Sequence, residues 1–265
     1  MNLKDKKLFL LDMDGTIYLD NDLFDGTLDF LDYIKNSGGR YMFVTNNSSK
    51  SVDKYVEKLA SLGIASSPVD FFTSTDATVE YLKDKNYKKI YAFGTTSFVS
   101  QLKNAGYNIT TELSDDIDCL CMGFDTELTF KKLEDACILL NRGMDYIATN
   151  PDWVCPTWYG SVPDCGSIAQ ILNTATSRMP RFIGKPHPEM LLLASQKAGF
   201  DKKDAVMIGD RLYTDIKSGI NAGIDTIFVL SGEGTLEDLE KSEEKPTYVF
   251  DNIRKVYESI RSSGL

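Results

Sequence analysis

The sequence has no C-x-x-C pair. Its five cysteines (Cys119, Cys121, Cys137, Cys155 and Cys165) are spaced for neither a zinc site nor a disulfide framework, and five is an odd number. Buried thiols in a reducing cytoplasm are the expectation. No apolar run approaches the ~18 residues of a membrane helix, and the apolar part of "MNLKDKKLFLLDMD" is too short for a signal peptide. A membrane partner is therefore not expected. Cations are in short supply: 29 Lys and Arg face 39 Asp and Glu, for a net charge of −10. That balance argues against nucleic acid as a partner, while leaving a small anionic substrate open, because a few local cations or a metal can reverse the field inside one pocket. The one histidine, His187, lies between two prolines, and a structural or rim position suits it better than catalysis. Linker-like Pro/Gly/Ser stretches, internal repeats and low-complexity tracts are all missing.

What is present is a long alternation. With 42% apolar and 26% charged residues over 265 positions, the chain can bury a proper core in one large or two ordinary domains. "LFLL" (8–11) precedes Leu28, Leu31 and Ile34 at helical spacing. "RYMFVT" (40–45) precedes a helix with Tyr55, Val56, Leu59 and Leu62 that stops at Gly63. "AVMIGD" (205–210), a helix around Asp215 to Asn221 and "DTIFVL" (225–230) repeat the pattern. Strands separated by single helices need crossovers, which predicts a parallel, doubly wound sheet with helices on both faces. The middle of the chain has its own strands in "KIYAFG" (89–94), "DCLCMG" (118–123) and "MDYIAT" (144–149), with a helix marked by Leu128, Leu133, Ala136 and Leu140. The expected organisation is a core of residues 1–80 and 184–265 with an inserted α/β domain at 81–183.

Ligands of open parallel sheets sit beyond the carboxyl ends of the strands. In the first domain those ends carry Asp12 and Asp14, then Thr45, Asn46 and Asn47. Lys185 follows "RFIG", and Asp210 with Asp215 follows "AVMIG". Each alone reads as a turn former, a helix cap or a surface lysine; together they read as a site. Clustered carboxylates want a hard cation, and a few carboxylates with water and a phosphate oxygen form the usual Mg²⁺ shell, here from Asp12 and Asp210. Lys185 supplies fixed positive charge, and Thr45 with the following backbone N–H groups suits phosphate oxygens. A phosphate dianion about 4 Å from a carboxylate feels roughly 8 kcal/mol of repulsion at an effective dielectric near 20. Attack by Asp12 therefore requires the cation and the lysine. Residues two apart on an extended chain share a side, so Asp12 can serve as nucleophile and Asp14 as proton donor and acceptor. Gly15 lets the backbone turn closely beneath the phosphate.

"DMDGT" (12–16), "VTNNSSKS" (44–51), "GKPHPEM" (184–190) and "GDRLYTD" (209–215) resemble, in order and spacing, the four motifs of the haloacid dehalogenase superfamily. The long gap between Thr45 and Lys185 resembles its phosphatases with a large type II cap. "ATNPD" (148–152) and "FVLSGEGT" (228–235) narrow the similarity to NagD-like or p-nitrophenyl phosphatase-like members. The resemblance implies a Rossmann-like core with an inserted cap. It also implies a cytoplasmic, Mg²⁺-dependent phosphatase that hydrolyses small phosphomonoesters (sugar phosphates, nucleotides, aryl phosphates) through an aspartyl-phosphate. By the same resemblance Asp12 is the nucleophile, Asp14 the general acid/base and Asp210 a metal ligand, with Asp14 reaching the metal through its backbone carbonyl. Thr45, Asn46 and Asn47 bind the phosphoryl group, Lys185 stabilises it, and Asp215 is an outer partner of Lys185 or of metal-bound water. Asp152 and Trp153 follow a "TNP" element that faces substrate in similar proteins, and cap-mediated homodimers occur among them.

Trp153, Trp158 and Tyr159 are expected in a loop, either stacking on substrate or packing within the inserted block. "SGEGTLE" does not complete a dinucleotide fingerprint, because position 237 is Glu. A phosphotransferase or phosphomutase of the same superfamily and a non-catalytic phospholigand-binding protein are the alternatives. A phospho-accepting receiver is disfavoured by length, and two anions beside a phosphate disfavour binding alone.

Overall fold

The computed structural model describes residues 3–157 and 159–262. The chain begins with β1 (Leu8–Leu11), the small hairpin β2 (Tyr18–Leu19) and β3 (Asp22–Leu23), and α1 (Thr27–Asn36). It continues through β4 (Arg40–Thr45), α2 (Val52–Ser61), β5 (Phe71–Thr73) and α3 (Ser74–Lys83). Next come β6 (Ile90–Phe93), α4 (Thr96–Asn104), β7 (Ile109–Thr110), β8 (Cys119–Met122), α5 (Phe130–Asn141) and β9 (Asp145–Ala148). The hairpin β10 (Val154–Thr157) and β11 (Gly160–Pro163), α6 (Cys165–Thr176) and β12 (Arg181–Phe182) follow. The chain closes with α7 (Pro188–Ala198), β13 (Ala205–Gly209), α8 (Lys217–Ala222), β14 (Asp225–Val229), α9 (Leu236–Lys241), β15 (Tyr248–Phe250) and α10 (Ile253–Ser262).

These elements build two compact units. One holds residues 1–45, 56–72 and 185–265; the other holds 46–55 and 73–184. The first unit is a doubly wound sheet in the order β15-β14-β13-β1-β4-β5, with parallel pairing between β1 and both of its neighbours. Leu8 to Leu11 are buried throughout, as befits a central strand covered on both faces. The second unit is a smaller sheet, β12-β9-β8-β6-β7, also paired in parallel. One core cluster of this unit gathers Phe93, Leu120, Met122, Leu139 and Leu172.

One expectation is corrected. "RFIG" does not belong to the first sheet: Arg181 and Phe182 pair with Ile147 and Ala148 at the edge of the second. Local hydrophobicity marks a strand but says nothing about which sheet receives it. Val154–Thr157 and Gly160–Pro163 form an antiparallel hairpin that pairs Val154 with Pro163, with Tyr159 in its turn and Trp153 just before it; Trp158 lies outside the described residues. All five cysteines are free, and Cys119, Cys121 and Cys165 are buried.

In β4, the fully buried Phe43 ring packs 5.2 Å, centroid to centroid, from both Tyr41 and Phe71. Phe43→Ala is expected to lower the urea unfolding free energy by about 3–5 kcal/mol, and Phe43→Leu by under about 2 kcal/mol. Equal losses in the two variants would argue against packing volume as the cause.

Candidate active site

Strand order reverses at β1. The chain first builds outward through β4 and β5, then returns to lay β13, β14 and β15 on the other side. The carboxyl ends of β1 and β13 flank that switch point, where a crevice opens in such sheets. Register makes the strand ends flush, because Leu11 pairs with both Phe43 and Ile208. The Asp12 N–H donates to the Ile208 carbonyl at 2.9 Å. Asp12, Thr45 and Asp210 therefore emerge at one edge.

The edge is organised around one buried ammonium. Lys185 Nζ donates to Asp12 Oδ1 at 2.6 Å, to Asp215 Oδ1 at 2.6 Å and to the Val44 carbonyl at 3.0 Å. Asp215 reaches it from a turn of π-helix, Leu212–Ile216, that leads into α8, a distortion often found at functional sites. Its other oxygen accepts the Arg211 N–H at 3.1 Å. Burial pulls the Lys185 ammonium down, but Asp12 and Asp215 outweigh that and push it up, so it stays charged. Burial raises the Asp12 carboxyl well above the usual range against the pull of Lys185. Burial, then the charges of Asp12 and Asp215, raise Asp210 in the same way.

Asp12, Asp210 and Asp215 each present a carboxylate oxygen, and the three oxygens lie within 4.8 Å of one another. Three acids around one ammonium leave net negative charge in a desolvated place, and hard oxygen donors are what Mg²⁺ takes. The donor set fits a divalent cation. Close beneath it the chain turns at Gly15, with φ +85°, where a Cβ would stand 2.5 Å from Asp210 Oδ2. Only glycine meets both conditions.

The Asp14 carboxylate is outside that acid group. It accepts the Tyr18 hydroxyl at 3.2 Å and pairs with Lys58 at 3.6 Å. Lys58 also lies 3.8 Å from the centre of the Tyr18 ring. Thr45 ends β4 and is buried.

In the second unit, Asn46 and Asp152 are both buried, and the Asn46 amide donates to Asp152 Oδ1 at 2.9 Å. The Asn47 side chain folds onto its own turn, accepting the Ser49 N–H at 2.9 Å and the Ser49 hydroxyl at 2.7 Å. Trp153 and Tyr159 are exposed. His187 occupies the cap position of α7 without a side-chain capping bond.

Several neighbours of the site escaped the sequence reading. Thr16 donates to Asp210 Oδ1 at 3.3 Å. Tyr18 and Lys58 reach Asp14 only because a hairpin and a helix bring them there. The segment after β14 donates a backbone N–H to Asp210, from Glu233 at 2.7 Å. Its paired glycines were the available signal.

A family model described as haloacid dehalogenase-like hydrolase matches residues 9–108, and one described as HAD-hydrolase-like matches 182–256. An acid sugar phosphatase of Staphylococcus haemolyticus is 36% identical over 263 residues, spanning 99% of this chain and 99% of that protein. The chain belongs to the haloacid dehalogenase-like hydrolases. Solved structures of this hydrolase family agree in fold. A 4-nitrophenylphosphatase of Thermotoga maritima superposes with a TM-score of 0.92 at 43% identity, covering 97% of this chain and 98% of that one. A glycerol phosphate phosphatase of Mycobacterium tuberculosis, solved in complex with magnesium, gives 0.91 at 27% identity, covering 98% of this chain and 79% of that one.

The raised acids of this hydrolase carry a stability signature. Their folded-state pKa values lie above the unfolded ones, so without metal they destabilise the fold progressively as pH rises above about 4. Asp210→Asn removes one such charge, while the new amide can still accept the Glu233 N–H. In EDTA at pH 8 the variant is expected to melt higher than the wild type by about 2–4 °C. The gap should shrink at pH 5, and Mg²⁺ should stabilise the wild type more. A variant melting lower in EDTA at pH 8 would refute the charge-repulsion account.

Proposed function

We propose that this hydrolase is a Mg²⁺-dependent phosphatase of small phosphate monoesters, including sugar phosphates, nucleotides and aryl phosphates such as p-nitrophenyl phosphate. The observation that carries the reading is the Asp12 carboxylate held 2.6 Å from the Lys185 ammonium, beside two further acids at the switch point. A carboxylate there can attack phosphorus only where positive charge offsets the incoming dianion. The names of the staphylococcal and Thermotoga relatives, a sugar phosphatase and a nitrophenylphosphatase, point to the same chemistry.

In the first step an Asp12 carboxylate oxygen attacks phosphorus, the bond to the leaving oxygen breaks, and Asp14 in its acid form gives that oxygen a proton. In the second, Asp14 as a carboxylate takes a proton from water. The water oxygen bonds to phosphorus, the acyl phosphate bond breaks, and Asp12 is regenerated with release of phosphate. Lys185 orients Asp12 and neutralises phosphoryl charge, and Thr45, Asn46 and Asn47 bind phosphoryl oxygens. Asp12, Asp210 and the Asp14 backbone carbonyl would hold Mg²⁺, which when bound supplies further neutralisation of the phosphoryl group. Asp215 supports Lys185. The inserted α/β block, 81–183 in the sequence reading, is assigned as a cap domain that selects substrate, with Asp152 and Trp153 as contacts. The setting is cytoplasmic, and cap-mediated homodimers follow from the resemblance. No helix among the described residues is long and apolar enough to cross a membrane.

Hydrolysis of p-nitrophenyl phosphate should require Mg²⁺, stop with EDTA, and fall by about 10³-fold or more in Asp12→Asn. Robust turnover by that variant would falsify the covalent role. Asp14→Asn should slow alkyl phosphates far more than p-nitrophenyl phosphate, whose phenolate leaves without a proton. Equal losses on both substrate types would remove Asp14 from the acid role.

A further inference from the structure

Segment 231–235, "SGEGT", leaves β14 and runs along the Asp210 side chain. A Cβ on Gly232 would stand 2.0 Å from Asp210 Oδ2, and one on Gly234 would stand 2.6 Å from the Asp210 carbonyl oxygen. The Glu233 N–H donates to Asp210 Oδ2 at 2.7 Å, and the Gly234 N–H donates to the Asp210 carbonyl at 3.0 Å. The Ser231 hydroxyl donates to the Gly15 carbonyl at 2.8 Å, tying this segment to the turn on the other side of the same carboxylate. The Asp210 side chain is thus held between two glycine turns, each too close for any side chain.

A second set of contacts holds the segment itself. Glu233 pairs with Arg211 Nε at 2.8 Å and accepts the Tyr213 hydroxyl at 3.2 Å. Arg211 and Tyr213 belong to the stretch that leaves Asp210, so the contacts form a closed circuit. Asp210 leads by the chain to Arg211, Arg211 binds the Glu233 side chain, and the Glu233 backbone returns to the Asp210 carboxylate. The Glu233 side chain is 40% exposed and Arg211 only 12%, and both line a cavity of about 540 Å³ with Lys217 and Glu244, so removing the pair together avoids leaving the guanidinium without its carboxylate.

We propose that segment 231–234 is a positioning device for the Asp210 carboxylate, and that the Arg211–Glu233 pair is its latch, setting the affinity for the divalent cation. The inference rests on the Mg²⁺ reading above. None of these groups touches a reacting atom; they restrict the Asp210 carboxylate to one orientation before the cation arrives, as outer partners do for metal ligands generally.

The test is the Mg²⁺ dissociation constant, by titration calorimetry on the full chain, for the wild type, Glu233→Gln and the double variant Arg211→Gln/Glu233→Gln. The double variant breaks the latch without changing net charge. Both variants are expected to bind Mg²⁺ about 10-fold more weakly, with kcat recovering as Mg²⁺ is raised to saturation. Wild-type affinity in the double variant, whatever the single variant does, means that charge alone sets binding and overturns the latch. Glu244→Ala, which breaks the Lys217–Glu244 pair on the same cavity, should keep wild-type affinity; a matching loss there also counts against the proposal. A wild type that does not bind Mg²⁺ overturns the metal reading and this inference with it.

Discussion

An ammonium buried between two carboxylates governs this site. Lys185 is almost fully enclosed, and so is Asp215, while Asp12 keeps a narrow opening to solvent. Taking these charges out of water is costly, and only close mutual contact offsets it; removing one partner of such a pair typically costs about 3–5 kcal/mol. The Val44 carbonyl also accepts a hydrogen bond from the ammonium. The triad therefore holds the ends of β1 and β4 and the π-helical turn after β13 in one fixed relation. Asp12 is thus part of that structural anchor and the most exposed of its three side chains.

The anchor is unbalanced by design of composition. Asp210 adds a third acid near the pair, and burial together with Asp12 and Asp215 pushes its proton affinity up. Such an arrangement persists only if something else carries part of the charge. Backbone N–H dipoles from the Glu233 segment and the Thr16 hydroxyl supply some of it, and the oxygen-only donor set suits a hard cation for the rest. Asp14 is managed differently: Tyr18 and Lys58 hold its carboxylate apart from the acid group. Two carboxylates two residues apart thus have separate surroundings, the condition for giving them separate acid–base duties.

Much of this was legible as a list of residues. Apolar runs at 8–11, 40–45 and 205–209 became strands, each followed in sequence by the polar group that matters. The strand-then-helix rhythm required parallel pairing. Other parts left no local trace. Arg181 and Phe182 read as a strand of the first sheet and pair in the second, because β12 is only two residues long and its partner is chosen by β9. Thr16, Tyr18 and Lys58 look like ordinary turn, hairpin and helix residues until the fold brings them to Asp210 and Asp14. "SGEGTLE" reads as failing to complete a dinucleotide fingerprint, yet its glycines are needed for close approach to an acid.

Sequence by itself determined the chemistry available to this protein: which carboxylates, which lysine and which hydroxyl follow its strands, and that those strands run parallel. Residue type and period settle such things locally. Tertiary structure decided which acids meet. The reversal of strand order at β1 and the flush register of Leu11 with Phe43 and Ile208 bring residues nearly two hundred positions apart into contact. It also decided that Asp215 is a direct partner of Lys185, that Asp14 is held by Tyr18 and Lys58, and that a glycine segment orients Asp210. Those outcomes depend on distances between distant parts of the chain, and no local pattern of residues encodes a distance.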